Sequence, residues 1–463
     1  MGELILELAL LSGRHCRVSA QPSWTVCELR RAAQQQLGLC IRAFFADGQQ
    51  LRDGRTVAEL GLVDGQILQA AVRAEVVSFW ADTFMEDELD WPQVAAFAGL
   101  RSNGTVVTWG CPCVGGDSQE VQPSLTEVQE IRCSMGAFAA LRADGQVVTW
   151  GDVEAGGALT ARVSSRLVQV RDVCASGGAF AALKADGSVV SWGPKLYGGD
   201  SQAVQGELRQ VRTIRASGAA FAALRADGSV VTWGLPGDGG DSQVVQHRLT
   251  EVTEIYSNER AFAALRTDGS VVTWGCAEDG GNSTAVQEQL KDVRHVAASA
   301  AAFAALRGDG VVVTWGKAHY GGDSIAVRNQ LRKVRSVHAT LRSFAAVRED
   351  LSAVSWGDFG APHRVEQVRH ICASAGAFCA QLAGGGLAAW GRAKFGGDAA
   401  PVLRRLTSGS AVREVRSHAR GFAALLEDGE VVAWGDAVGA YGKKDLDGSA
   451  EALRASVFGD FGE

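Results

Sequence analysis

The residue types best suited to chemistry sit in short loops, each following one of nine Trp-Gly dipeptides. The loops read CPCV, DVEA, PKLY, LPGD, CAED, KAHY and, late in the chain, RAKF. Three of them put a cation beside an aromatic: Lys195 with Tyr197, Lys317 with Tyr320, and Arg392 and Lys394 with Phe395. Aromatics and arginines are favoured at the centres of protein interfaces, so recognition is the chemistry these loops imply. The first loop holds Cys111-Pro-Cys113, the one close pair among ten cysteines. No CxxC and no Cys/His cluster has zinc spacing, so reduced, mostly structural thiols are expected. The Gly-Gly-Asp-Ser sets, as at Gly239 to Ser242, lack the alternating aspartates of a calcium loop and read as turns. The eight histidines are dispersed, and His319 and His338 read as surface or packing residues. No Walker, G-x-S-x-G or H-E-x-x-H motif occurs. The expectation is therefore a non-enzyme, with no catalytic residue, cofactor or metal.

The loops hang on a repeated frame. The Trp-Gly tryptophans are Trp109, Trp150, Trp192, Trp233, Trp274, Trp315, Trp356, Trp390 and Trp434, at spacings of 41, 42, 41, 41, 41, 41, 34 and 44. A phenylalanine stands twelve residues before each, from Phe97 to Phe422. Length changes therefore fall outside the Phe-to-Trp core. Between the two aromatics lies a turn, usually Asp-Gly, the strongest short hairpin signal. Unit seven breaks that signal with Asp350-Leu351. After the loop come Gly-Gly-Asp-Ser, a Val-Gln stretch and a V-x-x-I-x-A-S strand. Three or four short antiparallel strands per unit follow. One unit cannot bury its apolar face alone, so neighbours must stack.

The bulk numbers fit this frame. The chain has 463 residues, 21% charged and 46% hydrophobic, with 57 glycines and only 8 prolines. Much turn with little proline favours many short strands. A formal charge of −7 argues against a nucleic-acid or anionic-membrane partner. The apolar N-terminus is interrupted by Glu3 and Glu7 and has no basic n-region, and no run reaches transmembrane length. A monomer in the cytoplasm, or the nucleus, is expected.

The repeat is absent before about residue 90. Residues 1–73 read as strand–strand–helix–strand–strand, with a Thr25-x-x-Glu28 capping box opening the helix. That is a β-grasp pattern. The stretches PSWTVCELRRAAQ and FFADGQQLRDGRTVAELGLVDGQILQAAVR resemble ubiquitin, above all at Leu51 to Thr56. Ala74-Glu75-Val76 stands where a terminal diglycine would be, and the segment has no lysine, so the resemblance implies a docking module that stays in its protein. It also implies a contact patch at Leu11, Phe44 and Ala71, with Phe44 as an exposed aromatic anchor. Residues 74–91 read as an acidic, aromatic linker.

Residues 92–440 are expected to form an all-β propeller of nine repeats of about 41 residues. AFAAL-x-x-DG-x-VVTWG resembles the regulator-of-chromosome-condensation repeat, HERC-type ligase propellers and the β-lactamase-inhibitor propeller. That family usually closes with seven blades, so nine motifs leave closure open. The tail 441–463 could complete a blade through Leu453 to Phe458. The resemblances imply a non-catalytic adaptor. Its ubiquitin-like domain would dock on a ubiquitin receptor, ligase or proteasome component, and its propeller rim would hold a second protein. Nucleotide exchange on a small GTPase and enzyme inhibition are the alternatives.

Overall fold

The computed structural model describes residues 4–10, 15–26, 28–29, 32–33, 41–46, 49–51, 55–72, 76–82, 96–101, 103–358, 364–400, 403, 411–418, 420–427 and 431–435. The tail 441–463, residues 83–91 of the linker and residues 92–95 lie outside them. The chain divides into two compact units.

The N-terminal unit is a five-stranded mixed sheet: β1 Leu4–Leu10, β2 His15–Ala20, β3 Ile41–Ala46, β4 Gln49–Gln50 and β5 Ile67–Val72, in the order β2-β1-β5-β3-β4. β1 and β5 run parallel at its centre, and the other pairs are antiparallel. Residues Val26, Glu28, Leu29, Ala32 and Ala33 are helical. The capping box is formed. The Thr25 amide donates to Glu28 Oε2 at 2.8 Å, and the Glu28 amide donates to Thr25 Oγ1 at 3.3 Å. Thr56 and Glu59 make the same reciprocal pair at 3.1 and 3.2 Å. Strand alternation sets the core: Leu6, Leu8, Phe44 and Leu68 pack with Val26, Leu29 and Ala33.

The second unit is propeller-like and all-β. Among the described residues it holds nine sheets of three strands, with a fourth short strand in the seventh. In unit four, strand a is Val211–Ala216, strand b Ala220–Arg225 and strand c Val230–Gly234, and the other units repeat this pattern. Strand b is central and buried almost throughout. Register places each Phe directly opposite its Trp, as Phe221 faces Trp233. The rings stack at 5.2 Å in unit four; centroids lie 5.1–5.5 Å apart in all nine units, stacked in eight and tilted by 34° in Phe378–Trp390. Such pairs contribute about 0.5–1.5 kcal/mol each beyond their area burial.

Two devices join each unit to the next. The Trp233 indole N–H donates to the Gly198 carbonyl at 2.9 Å, across the interface to unit three, and six other tryptophans repeat this bond. Gly198 has φ +88°, and a Cβ there would stand 2.7 Å from Phe221. The first glycine of the pair is thus fixed by the neighbouring unit, and the second by its own, since a Cβ on Gly199 would strike the Gly193 carbonyl. The second device is a backbone belt carrying one residue per unit. The amide of Met135 donates to the carbonyl of Gly177, Gly177 to Gly218, Gly218 to Glu259, Glu259 to Ala300, Ala300 to Leu341, and Leu341 to Ala375, at 2.6–3.2 Å. All of these but Met135 line one cavity of about 510 Å³ on which units three to eight converge.

Unit seven keeps its turn without the Asp-Gly signal: the Leu351 amide bonds to Arg348 O at 3.0 Å and Leu351 takes φ +64°. Leucine simply occupies the glycine's left-handed place. The short spacing to Trp390 has a physical counterpart as well. The short strand Arg364–Val365 pairs beside Ala353 and Val354. Unit seven has no Gly-Gly after its loop, and the buried Trp390 indole N–H has no acceptor among the described residues.

Candidate functional site: the strand a–b turn end

Six of the variable loops hold a short 3-10 turn, such as Lys195–Tyr197, that ends at a left-handed glycine, and the unit-five loop Ala277–Gly281 is a π-type turn around the left-handed Gly280. The residue before that glycine is clamped inward. Its carbonyl accepts a bond from the Ser or Asn that closes strand a: Ser176 to Tyr197 O at 2.8 Å, Ser217 to Asp238 O at 2.8 Å, Asn258 to Asp279 O at 2.7 Å, Ser299 to Tyr320 O at 2.8 Å and Ser374 to Phe395 O at 2.8 Å. The clamp is the same in six units among the described residues, and the clamped side chain varies. Fixed backbone with variable side chains is how a rigid scaffold presents function.

Three of the residues so placed, Asp238, Asp279 and Tyr320, meet charged neighbours in two groups that together make a charged and aromatic network across units four to eight. Arg260 Nε donates to Asp238 Oδ1 of the preceding unit at 2.9 Å, and its Nη1 lies 3.5 Å from Asp279 Oδ2. Both aspartates are buried. Arg342 lies 5.3 Å from the Tyr320 ring centroid, with Lys317 at 5.4 Å. Asp358 Oδ2 accepts from Arg392 Nη2 at 2.8 Å and stands 3.9 Å from Arg342. Glu259 is the carboxylate on the axial cavity. Partial desolvation, then the charge of Asp279, raises its pKa above the usual carboxylate range, while Arg342 opposes the rise.

The sequence-predicted residues divide. Lys195, Lys317 and Lys394 are exposed, and Tyr197, Tyr320 and Arg392 are half-buried. Tyr320, Lys317 and Arg392 belong to the network. Tyr197 packs over Gly178, where a Cβ would strike its ring at 2.6 Å. Phe395 is a correction: it is only 3% exposed, packed in the core over Gly376, with Lys394 above its ring at 5.2 Å. The clamp turns it inward, so it offers no free contact. The expected exposed anchor Phe44 is a second correction. Its position in β3 faces the helix side of the sheet, and it is fully buried. Ala71 sits in β5 opposite Ala43, and Leu11 lies outside the described residues. The apolar residues exposed on that unit are Ile5 at 48%, Ile67 at 54% and Val63 at 61%.

Asp238, Glu259, Arg260, Asp279, Arg342 and Asp358 escaped the sequence reading. A signal existed for some of them: Asn258-Glu259-Arg260 and Thr340-Leu341-Arg342 replace Ser-Gly-Gly or Ser-Gly-Ala of other units. The Gly-Gly-Asp-Ser sets are structural. Asp241 Oδ1 accepts the Gln243 amide at 2.9 Å, and Ser242 ties Thr232 to Gln246, whose amide caps Val230 O. Cys111 and Cys113 bring their sulphurs to 2.6 Å on the first loop. Among the described residues no group of three or more His, Cys, Asp or Glu is placed to hold a metal.

No family model matches the chain, and no curated protein does. Three similar solved structures are yeast RCC1 (Prp20) bound to Kap60 (15% identity, 55% of this chain and 79% of that one, TM-score 0.34), the WD40 ectodomain of the Arabidopsis thaliana receptor kinase ACR4 (16%, 55% and 92%, 0.32) and the computationally designed Ika8 protein (13%, 69% and 96%, 0.33). Scores this low say nothing about what the chain does, and its fold stands on the sheets and bonds above.

Proposed function

We propose that the chain is a non-catalytic protein-interaction adaptor. The carrying observation is the clamp: the same hydrogen bond fixes a different loop residue in each of six units, and three of those residues, Asp238, Asp279 and Tyr320, lie in two charged and aromatic groups, Asp238–Arg260–Asp279 and Lys317–Tyr320–Arg342–Asp358–Arg392. A second protein binds there through complementary charge and an aromatic contact. The N-terminal unit serves as the other hand. Its sheet order and capping box support the ubiquitin-like reading, and its docking face is the exposed Ile5 and Ile67 rather than Phe44. The partner on that side is a ubiquitin receptor, ligase or proteasome component.

The test is quantitative affinity capture from host extract with three full-length baits: the natural chain, Ile5→Ser with Ile67→Ser, and Tyr320→Ala with Arg342→Ala. Each variant should lose its own set of partners and keep the other. Identical partner sets for all three would refute the adaptor reading.

A further inference from the structure

The opposite end of the sheets carries two concentric sets of charge, and only one is compensated. The outer set is the strand b–c turn. Its aspartates are each paired with a cation of strand b: Arg142 with Asp144 at 3.1 Å, Lys184 with Asp186 at 3.5 Å, Arg225 with Asp227 at 3.4 Å, Arg266 with Asp268 at 3.0 Å, Arg307 with Asp309 at 2.8 Å and Arg348 with Asp350 at 2.9 Å. The inner set is the second residue of strand a. It is arginine in six units: Arg171, Arg212, Arg294, Arg335, Arg369 and Arg413, all exposed. Both sets lie at one end, because each turn glycine packs on the residue preceding the next strand a, as Gly145 does on Gln169.

None of the six arginines has an ion-pair partner among the described residues. Three strand a carboxylates are engaged elsewhere: Glu130 pairs with Arg132 at 2.6 Å, Glu414 with Arg416 at 2.7 Å, and Glu254 accepts the Tyr256 hydroxyl at 2.7 Å, while Asp172, next to Arg171, makes no ion pair among the described residues. Three of the six are held in place by backbone. Arg171 Nη2 donates to Arg212 O at 2.9 Å, Arg212 Nη2 to Thr253 O at 2.5 Å and Arg335 Nη2 to Arg369 O at 2.7 Å. Each therefore reaches the same position of the next unit, and the cations follow one another along an arc. The chain as a whole is acidic at −7, so this concentration of unpaired positive charge is local.

We propose that the arginine arc docks an extended acidic segment of a partner protein, rich in Asp and Glu. The arc is narrow and bounded on its outer side by aspartates. A single extended peptide can follow the arginines, whereas a broad polyanion such as a nucleic-acid duplex meets those carboxylates and the acidic remainder of the chain. Guanidinium pairs carboxylate bidentately, and the backbone-held arginines are pre-ordered for it. This surface is separate from the strand a–b turn network, and either can fail without the other.

The experiment uses the full chain and a fluorescein-labelled decaglutamate peptide, read by anisotropy at low and at physiological salt. The variant is Arg294→Gln with Arg369→Gln and Arg413→Gln, three guanidiniums that make no hydrogen bond among the described residues, so its melting temperature should stay unchanged. Binding should weaken about tenfold or more. The matching triple Arg→Lys variant should keep most of it. Lys317→Gln with Lys394→Gln, at the other end, should bind as the natural chain does. No peptide binding, equal binding by the triple Gln variant, or tighter binding of a single-stranded oligonucleotide of equal charge would each overturn the proposal.

Discussion

Arg260, in the strand a–b turn of unit five, donates to Asp238 of unit four at 2.9 Å while standing 3.5 Å from the buried Asp279. One cation thus serves two carboxylates that belong to different units. Arg260→Ala leaves both without it, and a cost of about 2 kcal/mol is expected. Asp238→Asn in the same chain should recover about half. Urea denaturation of the single and double variants measures this, and additive effects would show that the two groups are uncoupled.

The arrangement of Trp390 gives an internal control for the tryptophan bond. Trp233 has its acceptor in Gly198, whereas the buried Trp390 indole N–H has none among the described residues. Trp233→Phe should cost about 1–3 kcal/mol, partly for the carbonyl it orphans. Trp390→Phe should cost clearly less, because only packing changes. Thermal melts of the two variants decide it, and equal losses would contradict the bond's contribution.

Leu351 sits at φ +64°, where its equivalents are glycine. A bulky residue in the left-handed region costs about 1–2 kcal/mol. Leu351→Gly should therefore stabilise the chain by roughly 1 kcal/mol, after the larger unfolded-state entropy of glycine is subtracted. A fall in stability would mean that the leucine packs better than its half-exposed side chain implies.

His338 gives the fold a pH dependence. Desolvation first, then the neighbouring His370, His295 and Arg335, depress its pKa from 6.5 to about 4, and Ser336 Oγ lies 3.1 Å from its Nε2. The unfolded chain binds the proton more readily, so stability falls as pH drops from 6.5 and this contribution levels off below about 4. His338→Gln should flatten that fall. Denaturation midpoints at neutral and mildly acid pH measure it, and an unchanged slope would assign the loss elsewhere. Glu259 has the opposite sign. Its raised pKa means the folded state disfavours its charge, so Glu259→Gln should stabilise at neutral pH and lose that advantage in acid.

Much of the frame was legible because it depends on local rules repeated nine times. The constant Phe-to-Trp offset is the register of strands b and c, and Asp-Gly is their turn. The capping box at Thr25 likewise needs only a four-residue window. What the sequence hid was direction. Phe44 and Phe395 look like contact residues by type, yet strand parity turns one inward and the loop clamp turns the other. Alternation in β1, with Leu4, Leu6 and Leu8 against Ile5, could have pointed to Ile5. The belt and the Arg260 network join residues about 20 to 42 positions apart in the chain, and pairings at that distance carry no local signal. Leu351 shows the converse: a broken motif need not be a broken turn.

The central claim is that partners are held at the strand a–b turn end. Site-specific photo-crosslinking from Tyr320 tests it most directly, with Val244, 89% exposed on a 3-10 helix outside the network, as the reference position. In host extract the Tyr320 probe should give discrete protein adducts that disappear with Arg342→Ala, and the Val244 probe should give none of them. The same adducts from Val244, or adducts from Tyr320 indifferent to Arg342, would contradict the account.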